Sequence, residues 1–518
     1  DGRNGRCGKF GTEVLEVGRV GDRDVIVISE RLTRGSGEHF EMPIALTPDN
    51  PVPTDSLKKA LSGLAVTVGA ALPSLPKHPA LDLLRRRPPR LASLPSLPAV
   101  ADGPEGYIRA ITAAVADLDH SYLAVQGPPG TGKTHVGSHV IAALVARGWK
   151  VGVVGQSHAV VENMLCSAVL KAGVPAGRVA KKLNADGPGS AGGSAPAAGA
   201  PWTGKSDDDV TALLASPGGC LIGGTAWTMT GSRVPAGSLD LLVIDEAGQY
   251  SLANTLAVAQ AAPRLLLLGD PQQLPQVTQG KHPEPVDESA LGWLSDGFHT
   301  LPAELGYFLA ASWRMHPQLC RPVSQLSYDG RLESAPAASM RRLEGTAAGV
   351  DIAYVDHSGN STSSPEEAAE VVRQVRAHLG LEWLDPGLDR KAASGPSERT
   401  SPRPLNQEDI LVVAAYNAQV QLIRAELEHA GLVSVRVGTV DKFQGQEAPV
   451  VIVSMAASAA GEVPRGMEFL LSRNRINVAV SRGQWRAVVV RSPELTNYLP
   501  AHPGGLEQLG GFIALCER

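Results

Sequence analysis

The stretch from Gly127 to Thr134 has the residue types and spacing that bind phosphate. It reads GPPGTGKT and lies between an apolar run, Tyr122 to Val125, and an amphipathic run, Val136 to Leu144. This order predicts a strand, a glycine-rich loop and a helix, with backbone N–H groups and the helix N-terminus facing a β-phosphate. Lys133 is expected to reach the β- and γ-phosphates, and the hydroxyl of Thr134 to bind Mg²⁺. The stretch predicts a nucleotide site; a plain glycine turn is the alternative.

Acidic residues follow a second apolar run, from Leu239 to Ile244. Such a continuous run predicts a strand buried on both faces of a parallel sheet. Asp245 and Glu246 would then lie at the edge where α/β sheets bind ligands. Asp245 is placed to hold Mg²⁺ through water and Glu246 to polarise the attacking water, whereas a surface acidic pair is the alternative. Another strand, Leu265 to Leu268, precedes Gln273, whose neutral amide can hydrogen-bond a γ-phosphate.

Length and charge limit the reading of the whole chain. At 518 residues it exceeds one ordinary core, so two or three domains are expected. The net charge is −5 and the pI is about 6.3, so any nucleic-acid contact must come from a local groove. Arg outnumbers Lys, and Ala, Gly and Pro are abundant, which is typical of a GC-rich bacterial coding bias.

The cysteines are scattered and have no metal-ligand spacing; they are Cys7, Cys166, Cys220, Cys320 and Cys516. Reduced thiols in a cytoplasmic protein are therefore expected. No apolar run reaches membrane-spanning length and no signal peptide opens the chain, so no membrane association is expected. The first residue is Asp1 rather than Met, and we expect the chain to be a piece of a longer protein.

The first hundred residues carry β-runs and helical patterns without visible chemistry. Residues 12–17 and 24–29 predict a hairpin, and Pro43 to Leu46 a further strand. Leucines at 57, 61 and 64 and at 81, 83 and 84 predict two helices. We expect a β-rich accessory domain with a helical stalk at 1–100, a first large domain at 101–300 with a flexible insertion at about 186–201, and a second large domain at 301–518 with an exposed loop at about 386–404.

Three motifs of the first large domain resemble motifs I, II and III of superfamily 1 helicases. They are the phosphate loop, the run from Asp245 to Gln249 (DEAGQ) and the run from Gly269 to Gln273 (GDPQQ). The DEAGQ form is more specific than a generic Walker B sequence and argues against a kinase or a small GTPase. The resemblance is strongest to the branch that contains the nonsense-mediated-decay helicase and senataxin.

Signatures of a second RecA-like domain follow in the family's order. They resemble motif IV, a strand-contacting motif, motif V and motif VI, at Ser312–Pro317, Ala415–Val420, Gly438–Glu447 and Arg475–Arg482. The resemblance implies that Arg314 meets the γ-phosphate and that Arg482 is a second arginine finger. Trp313 occupies a position that is usually Tyr in relatives and would stack near adenine.

The resemblance implies an α/β protein of two tandem RecA-like P-loop domains. It implies ATP hydrolysis with Mg²⁺, coupled to 5′-to-3′ movement along single-stranded nucleic acid, with DNA favoured over RNA. The implied catalytic residues are Lys133, Glu246, Gln273, Arg314 and Arg482, and the implied Mg²⁺ ligands are Thr134 and Asp245. The implied nucleotide contacts are Gly127, Pro128, Gly130, Thr131, Gly132, Lys133, Thr134, His135, Trp313 and Glu447. The implied strand contacts are His158, Thr225, Tyr416 and Thr439.

One departure and two alternatives remain. The adenine-reading glutamine that relatives usually carry ahead of the phosphate loop is absent around Arg109 to Thr112. Base selectivity is therefore not assigned. One alternative is a nucleic-acid-stimulated ATPase switch that never unwinds a duplex. The other is the helicase half of a helicase–nuclease polypeptide, since a RecB-like nuclease module often accompanies bacterial relatives; the sequence holds no nuclease-type cluster of His, Asp, Glu and Lys.

Overall fold

The computed structural model of the chain describes residues 12–20, 23–30, 53–103, 105–182, 199–276, 278, 280, 282–386, 401–443 and 445–516. The strand expected from Pro43 to Leu46 lies outside these ranges, as do most of the insertion expected at 186–201 and most of the loop expected at 386–404. Packing divides the chain into two compact units, residues 1–55 and 56–518.

The N-terminal unit contains a β-hairpin. Its strands, β1 (Thr12–Val20) and β2 (Arg23–Glu30), pair antiparallel with Val20 opposite Arg23. Both strands are rich in β-branched residues, which favour this extended pairing. The hairpin predicted from the sequence is confirmed.

A sheet of seven strands organises the first half of the second unit. The strands are β3 (Tyr122–Gln126), β4 (Lys150–Val154), β5 (Val179–Ala180), β6 (Cys220–Gly224), β7 (Leu241–Asp245), β8 (Leu265–Gly269) and β9 (Gly306–Phe308). Their order is β5-β6-β4-β7-β8-β3-β9, and every pair is parallel. The strands β3, β7 and β8 confirm the apolar runs read from the sequence.

Helices cover both faces of this sheet, because successive strand residues point to opposite sides. They are α1 (Asp55–Ala71), α2 (Pro79–Leu84), α3 (Gly106–Asp117), α4 (Lys133–Ala146), α5 (His158–Leu170), α6 (Asp207–Ala215), α7 (Ala226–Met229), α8 (Leu252–Val258) and α9 (Ala290–Ser295). In β3, Leu123 and Val125 pack with α3, α4 and α5, whereas Tyr122 and Ala124 pack in the cluster that contains the other helices.

The packing differs from the domain limits expected at residues 100 and 300. Leu57 and Leu83, from α1 and α2, lie in the core of the first sheet rather than in a separate stalk. Beyond residue 300, β9 pairs with β3 and extends that sheet. An apolar helical face predicts burial but does not name the surface that buries it, so this packing could not be predicted from the sequence.

A sheet of five strands organises the second half. Its strands are β13 (Gly349–Tyr354), β16 (Ile410–Ala414), β17 (Arg436–Thr439), β18 (Ala448–Ser454) and β19 (Gly483–Arg491). They run in the order β13-β19-β18-β16-β17 with every pair parallel. Short ladders join β10 (Ala311–Ser312) to β11 (Glu333–Ser334), and β14 (Glu382–Leu384) to both β12 (Arg342–Leu343) and β15 (Arg403–Pro404).

Helices also cover both faces of the second sheet. They are α10 (Pro317–Ser327), α11 (Pro365–His378), α12 (Asn417–His429), α13 (Met467–Leu470), α14 (Arg473–Val480) and α15 (Pro503–Cys516). Alternate residues of β16 pack with α11 and α12 on one face and with α10, α14 and α15 on the other. The two covered parallel sheets confirm the predicted α/β class with two RecA-like domains, which share one compact unit.

Candidate nucleotide and strand sites

The phosphate loop joins β3 to α4 in a conformation that depends on glycine. Gly130 and Gly132 have φ of +76° and +84°, in the left-handed region, and Gly132 precedes the first residue of α4. A Cβ on Gly127 would lie 2.2 Å from Cγ of Lys133. Lys133 Nζ donates to the carbonyl oxygen of Gly127 at 2.7 Å, and Thr131 Oγ1 to that of Pro128 at 2.8 Å. These contacts hold the loop in the conformation that its glycines allow, at the N-terminus of α4, where a phosphate group can bind.

The acidic pair lies at the same edge of the sheet. Asp245 ends β7 and is buried, and its Oδ1 accepts the backbone N–H of Glu246 at 3.0 Å. Burial, followed by the charge of Glu246, raises the pKa of Asp245 to about 7, while Lys133 acts in the opposite direction. Glu246 itself has a φ of +54°, which is unusual for a residue with a side chain and holds it at the turn after the strand. A buried carboxylate and the hydroxyl of Thr134, in the first turn of α4, are oxygen donors of the kind that Mg²⁺ prefers.

The third motif packs directly against the phosphate loop. The N–H of Gly127 donates to the carbonyl oxygen of Gly269 at 2.8 Å. Asp270 is buried and accepts the side-chain amide of Gln273 at 3.0 Å and the backbone N–H of Gln272 at 3.1 Å. Gln273, expected to sense the γ-phosphate, is thus held on Asp270 beside the loop and is 5% exposed.

Both predicted arginine fingers are buried in the second domain. Arg314 donates through Nε to Oε2 of Glu447 at 2.6 Å and through Nη1 to the carbonyl oxygen of Ser481 at 3.0 Å. Arg482 donates through Nε to the carbonyl oxygen of Val478 at 3.0 Å. Burial and the charge of Arg314 lower the pKa of Arg482 to about 9, against the attraction of Glu246. Arg482 therefore lies within electrostatic range of the acidic pair of the first domain.

The segment before α10 brings the second domain onto the phosphate loop. The N–H of Trp313 donates to the carbonyl oxygen of Gly130 at 2.9 Å, and Ser312 Oγ to that of Pro129 at 3.0 Å. A Cβ on Gly130 would lie 2.4 Å from Cβ of Arg314, so no other residue fits there without displacement. The structure thus brings together the phosphate loop, Trp313 and Arg314, as the motif order predicted.

Other predicted nucleotide contacts lie near this cleft with partners of their own. Glu447 also accepts Nε2 of Gln484 at 3.0 Å. Burial would raise the pKa of Glu447, but Arg314 and Gln484 together hold it below its ordinary value. His135 lies in the first turn of α4. The centroid of its ring is 4.1 Å from that of His139, and the two rings are tilted by 47°.

Sequence reasoning missed three side chains that position this site. Arg341 is buried and donates to the carbonyl oxygens of Trp313, at 3.0 Å, and Arg314. Tyr328 donates to Asp270 at 2.7 Å, and Asn477 donates to the Tyr328 hydroxyl at 2.8 Å. Asn477 lies inside motif VI, and this motif was a reason to consider it. Arg341 and Tyr328 lie outside every motif.

The predicted strand contacts follow neighbouring strands in each domain. His158 and Thr225 come after β4 and β6, and Thr439 ends β17 beside the β16 strand that precedes Tyr416. Thr225 and Thr439 are partly exposed. Tyr416, in contrast, is 8% exposed within the core, with its ring centroid 5.9 Å from that of Phe469. The structure therefore does not present the Tyr416 ring to solvent.

Comparison with known proteins gives one family match in each of the two domains. Two families, both described as AAA domain, match residues 108–290 and 297–494. DNA-binding protein SMUBP-2 of Rattus norvegicus is 29% identical over 286 residues, 51% of this chain and 26% of that protein. The DNA replication ATP-dependent helicase/nuclease DNA2 of Bos taurus is 25% identical over 410 residues, 74% of this chain and 37% of that protein. These findings support a superfamily 1 helicase.

The chain is also similar to the DNA polymerase alpha-associated DNA helicase A of Schizosaccharomyces pombe. The two are 29% identical over 272 residues, which is 50% of this chain and 38% of that protein. The chain thus spans between about a quarter and two fifths of the length of these relatives. Among the residues that the structure describes, no helix combines the length and apolar character needed to cross a membrane.

Proposed function

We propose that this chain hydrolyses ATP and couples hydrolysis to 5′-to-3′ movement along single-stranded DNA. The observation that carries the proposal is the contact of the two domains at one cleft. Gly130 of the phosphate loop binds Trp313, and Arg314 follows within van der Waals distance of that glycine. Catalysis of phosphoryl transfer depends mainly on positioning and on charge stabilisation, and this cleft supplies both.

Each side chain of the cleft has a role in the proposed hydrolysis. Lys133 neutralises charge on the β- and γ-phosphates, and Glu246 orients and polarises the attacking water. Arg314 and Arg482 stabilise the charge that develops on the transferred group, as arginine fingers do. Gln273 contacts the γ-phosphate from the third motif. Thr134 and Asp245 would hold Mg²⁺, which neutralises phosphate charge when bound.

Coupling to a strand follows from the division of these groups between two domains. Lys133 and Glu246 belong to the first domain, whereas Arg314 and Arg482 belong to the second. A strand that contacts His158 and Thr225 on one domain and Thr439 on the other would favour the closed cleft. A finger in place contributes about 10³–10⁵ in turnover in comparable systems, so we expect a low basal rate and strong stimulation by single strands.

Direction and strand chemistry rest on resemblance. Class B of superfamily 1, with an accessory domain ahead of the phosphate loop, moves from 5′ to 3′. Three relatives carry DNA in their names, which favours DNA over RNA. The free thiols of Cys166, Cys220 and Cys320 favour a reducing, cytoplasmic location.

The test is ATP turnover with and without single-stranded DNA or RNA, followed by unwinding of duplexes with a 5′ or a 3′ tail. We expect strand-stimulated turnover, unwinding of the 5′-tailed duplex, and loss of nearly all turnover in Lys133→Ala. Lys171→Ala, a charge loss on the exposed end of α5, is the matched control. Turnover retained in a folded Lys133→Ala protein would contradict the assignment of the phosphate loop to nucleotide binding. A preference for the duplex with a 3′ tail would contradict the proposed direction of movement. Stimulated turnover without unwinding would favour an ATPase switch.

A nuclease module in the same polypeptide is a second candidate. Similarity to a protein named helicase/nuclease, over 74% of this chain, favours it. Within the described residues no group of three or more His, Cys, Asp or Glu is arranged to hold a metal ion, so these residues offer no nuclease metal site. Degradation of labelled single-stranded DNA by the native polypeptide, with Mg²⁺ present and ATP absent, tests this candidate.

A further inference from the structure

In the second domain, the aromatic ring of Phe469 lies next to the buried Tyr416 and is contacted by two guanidinium groups. The guanidinium carbon of Arg465 is 3.9 Å from the ring centroid of Phe469, and that of Arg475 is 4.2 Å from it. Phe469 belongs to the short helix α13 and is half-buried, whereas Arg465 is exposed. We call Arg465, Phe469 and Arg475 the arginine–phenylalanine cluster.

The charge of the cluster is incompletely paired. Arg475 Nη1 lies 3.7 Å from Oδ2 of Asp441, which is the only carboxylate within ion-pair distance of either arginine among the described residues. Two cations on one ring repel each other, and a single distant carboxylate does not neutralise both. The cluster therefore carries excess positive charge on a chain whose net charge is −5.

The position of the cluster connects it to the proposed strand path. Asp441 lies two residues after Thr439 at the end of β17, and Tyr416 follows the neighbouring strand β16. Phe469 covers Tyr416, so a strand passing this edge of the sheet meets the cluster before it meets that tyrosine. The burial of Tyr416 thus leaves the strand contact at this edge to the residues above it.

We propose that Arg465 and Arg475 bind backbone phosphates of single-stranded nucleic acid, and that Phe469 holds their guanidinium groups in position. The inference rests on the proposed function and adds residues to its strand site. Guanidinium groups bind phosphate through paired N–H donors, and cation–π contact with a ring restricts their orientations before binding. Binding at such a groove is expected to fall steeply with salt because phosphates release counterions.

The test is the affinity of the full chain for a labelled single-stranded oligonucleotide, as DNA and as RNA, across a range of salt concentrations. Arg465→Gln and Arg475→Gln should each weaken binding about fivefold at low salt and reduce the slope of log affinity against log salt by about 0.7. Phe469→Leu should weaken binding by about threefold with the slope kept, and Phe469→Tyr should restore it. Arg376→Gln, in the last turn of α11, removes the same charge at another exposed site and should bind as the wild type does.

The outcomes separate this site from the function on which it rests. No strand binding by the wild type would overturn both. Strand binding by the wild type, with Arg465→Gln and Arg475→Gln equal to Arg376→Gln in affinity and slope, would overturn the cluster alone. Thermal unfolding of each variant identifies loss of the fold, and the exposed Arg465 keeps the test informative if Phe469→Leu unfolds. Equal losses on DNA and RNA would support a backbone contact common to both.

Discussion

The hydroxyl of Tyr328 lies 2.7 Å from Oδ2 of Asp270 and donates a hydrogen bond to it. Asp270 follows β8 of the first sheet, whereas Tyr328 ends α10 in the core of the second. Asn477 donates to the same hydroxyl and to the carbonyl oxygen of Gln272, each at 2.8 Å. The third motif is thereby joined to the helix that ends just before Arg482. We therefore expect a shift of the segment from Asp270 to Gln273 to be transmitted through Tyr328 and Asn477 to Arg482.

Replacement of Tyr328 by Phe tests this route. The buried Asp270 would lose one donor, and Asn477 one acceptor, so we expect the free energy of unfolding to fall by about 1–3 kcal/mol. We also expect strand-stimulated turnover to fall more than basal turnover. Tyr307→Phe is the matched control, because its hydroxyl donates to Pro98 at 2.8 Å within the first domain. Denaturant unfolding and turnover measure both effects; equal losses of stimulation in the two variants would contradict a coupling role.

Local sequence patterns predicted the parts of the site that come from a single segment. The phosphate loop and the DEAGQ strand were predicted because glycine spacing and continuous apolar runs report their own conformation. The parallel sheet then brings Asp245 and Gly127 to one edge, since carboxyl ends of parallel strands share it. Only the start of β7, at Leu241 rather than Leu239, differs in that stretch.

Contacts between distant segments were not predictable in the same way. Asp270 and Tyr328 are 58 positions apart, and neither residue type indicates the other. Tyr416 matched a strand-contacting motif, but its burial depends on Phe469, which a separate loop supplies. The packing of α1 and β9 on the first sheet was not predictable either, because both carry ordinary apolar patterns whose partners are set by tertiary packing.

Arg482 is expected to act through the geometry of its guanidinium and not only its charge. Arg482→Lys keeps a positive charge but lacks the planar donors. We expect it to lower strand-stimulated turnover by about 10³ or more while nucleotide affinity changes little. Arg482→Ala should lose the stimulated rate as well, and it also leaves a cavity because the side chain is 2% exposed. Arg373→Lys, in a surface ion pair with Glu370, is the control. A stimulated rate retained in Arg482→Lys or Arg482→Ala would remove the finger assignment.

Arg341 is expected to position Trp313 and Arg314 without contacting the nucleotide. Its guanidinium binds both of their carbonyl oxygens and pairs with Asp385 at 3.3 Å. In Arg341→Gln we expect kcat to fall severalfold with a smaller change in KM, and unfolding free energy to fall by about 1–3 kcal/mol. Arg342→Gln removes the same charge from the exposed neighbouring position. Steady-state kinetics of Arg341→Gln and Arg342→Gln measures this effect. Identical kcat and KM in the two variants would mean that Arg341 has a purely structural role.

The ion pair of Arg314 and Glu447 predicts a pH-dependent contribution to stability. The pKa of Glu447 is held below its ordinary value in the folded protein, so its stabilisation is present above that ordinary value and is lost as pH falls through the lowered one. Arg314→Gln should therefore lower the free energy of unfolding most at pH 7, with a pH-dependent part of about 1 kcal/mol, because Glu447 is 44% exposed and solvent screens the pair. The difference from wild type should shrink toward pH 4.

Glu447→Gln separates the ion pair from the other bond of Arg314. That bond, to the carbonyl oxygen of Ser481, does not titrate and should contribute equally at every pH. In the Glu447→Gln background, Arg314→Gln should then lower the free energy of unfolding by the same amount at pH 7 and at pH 4. Urea unfolding of the two single variants and the double variant at both pH values gives the coupling energy as a double-mutant cycle. A coupling energy that stays constant between pH 7 and pH 4 would mean that Glu447 does not respond to the charge of Arg314.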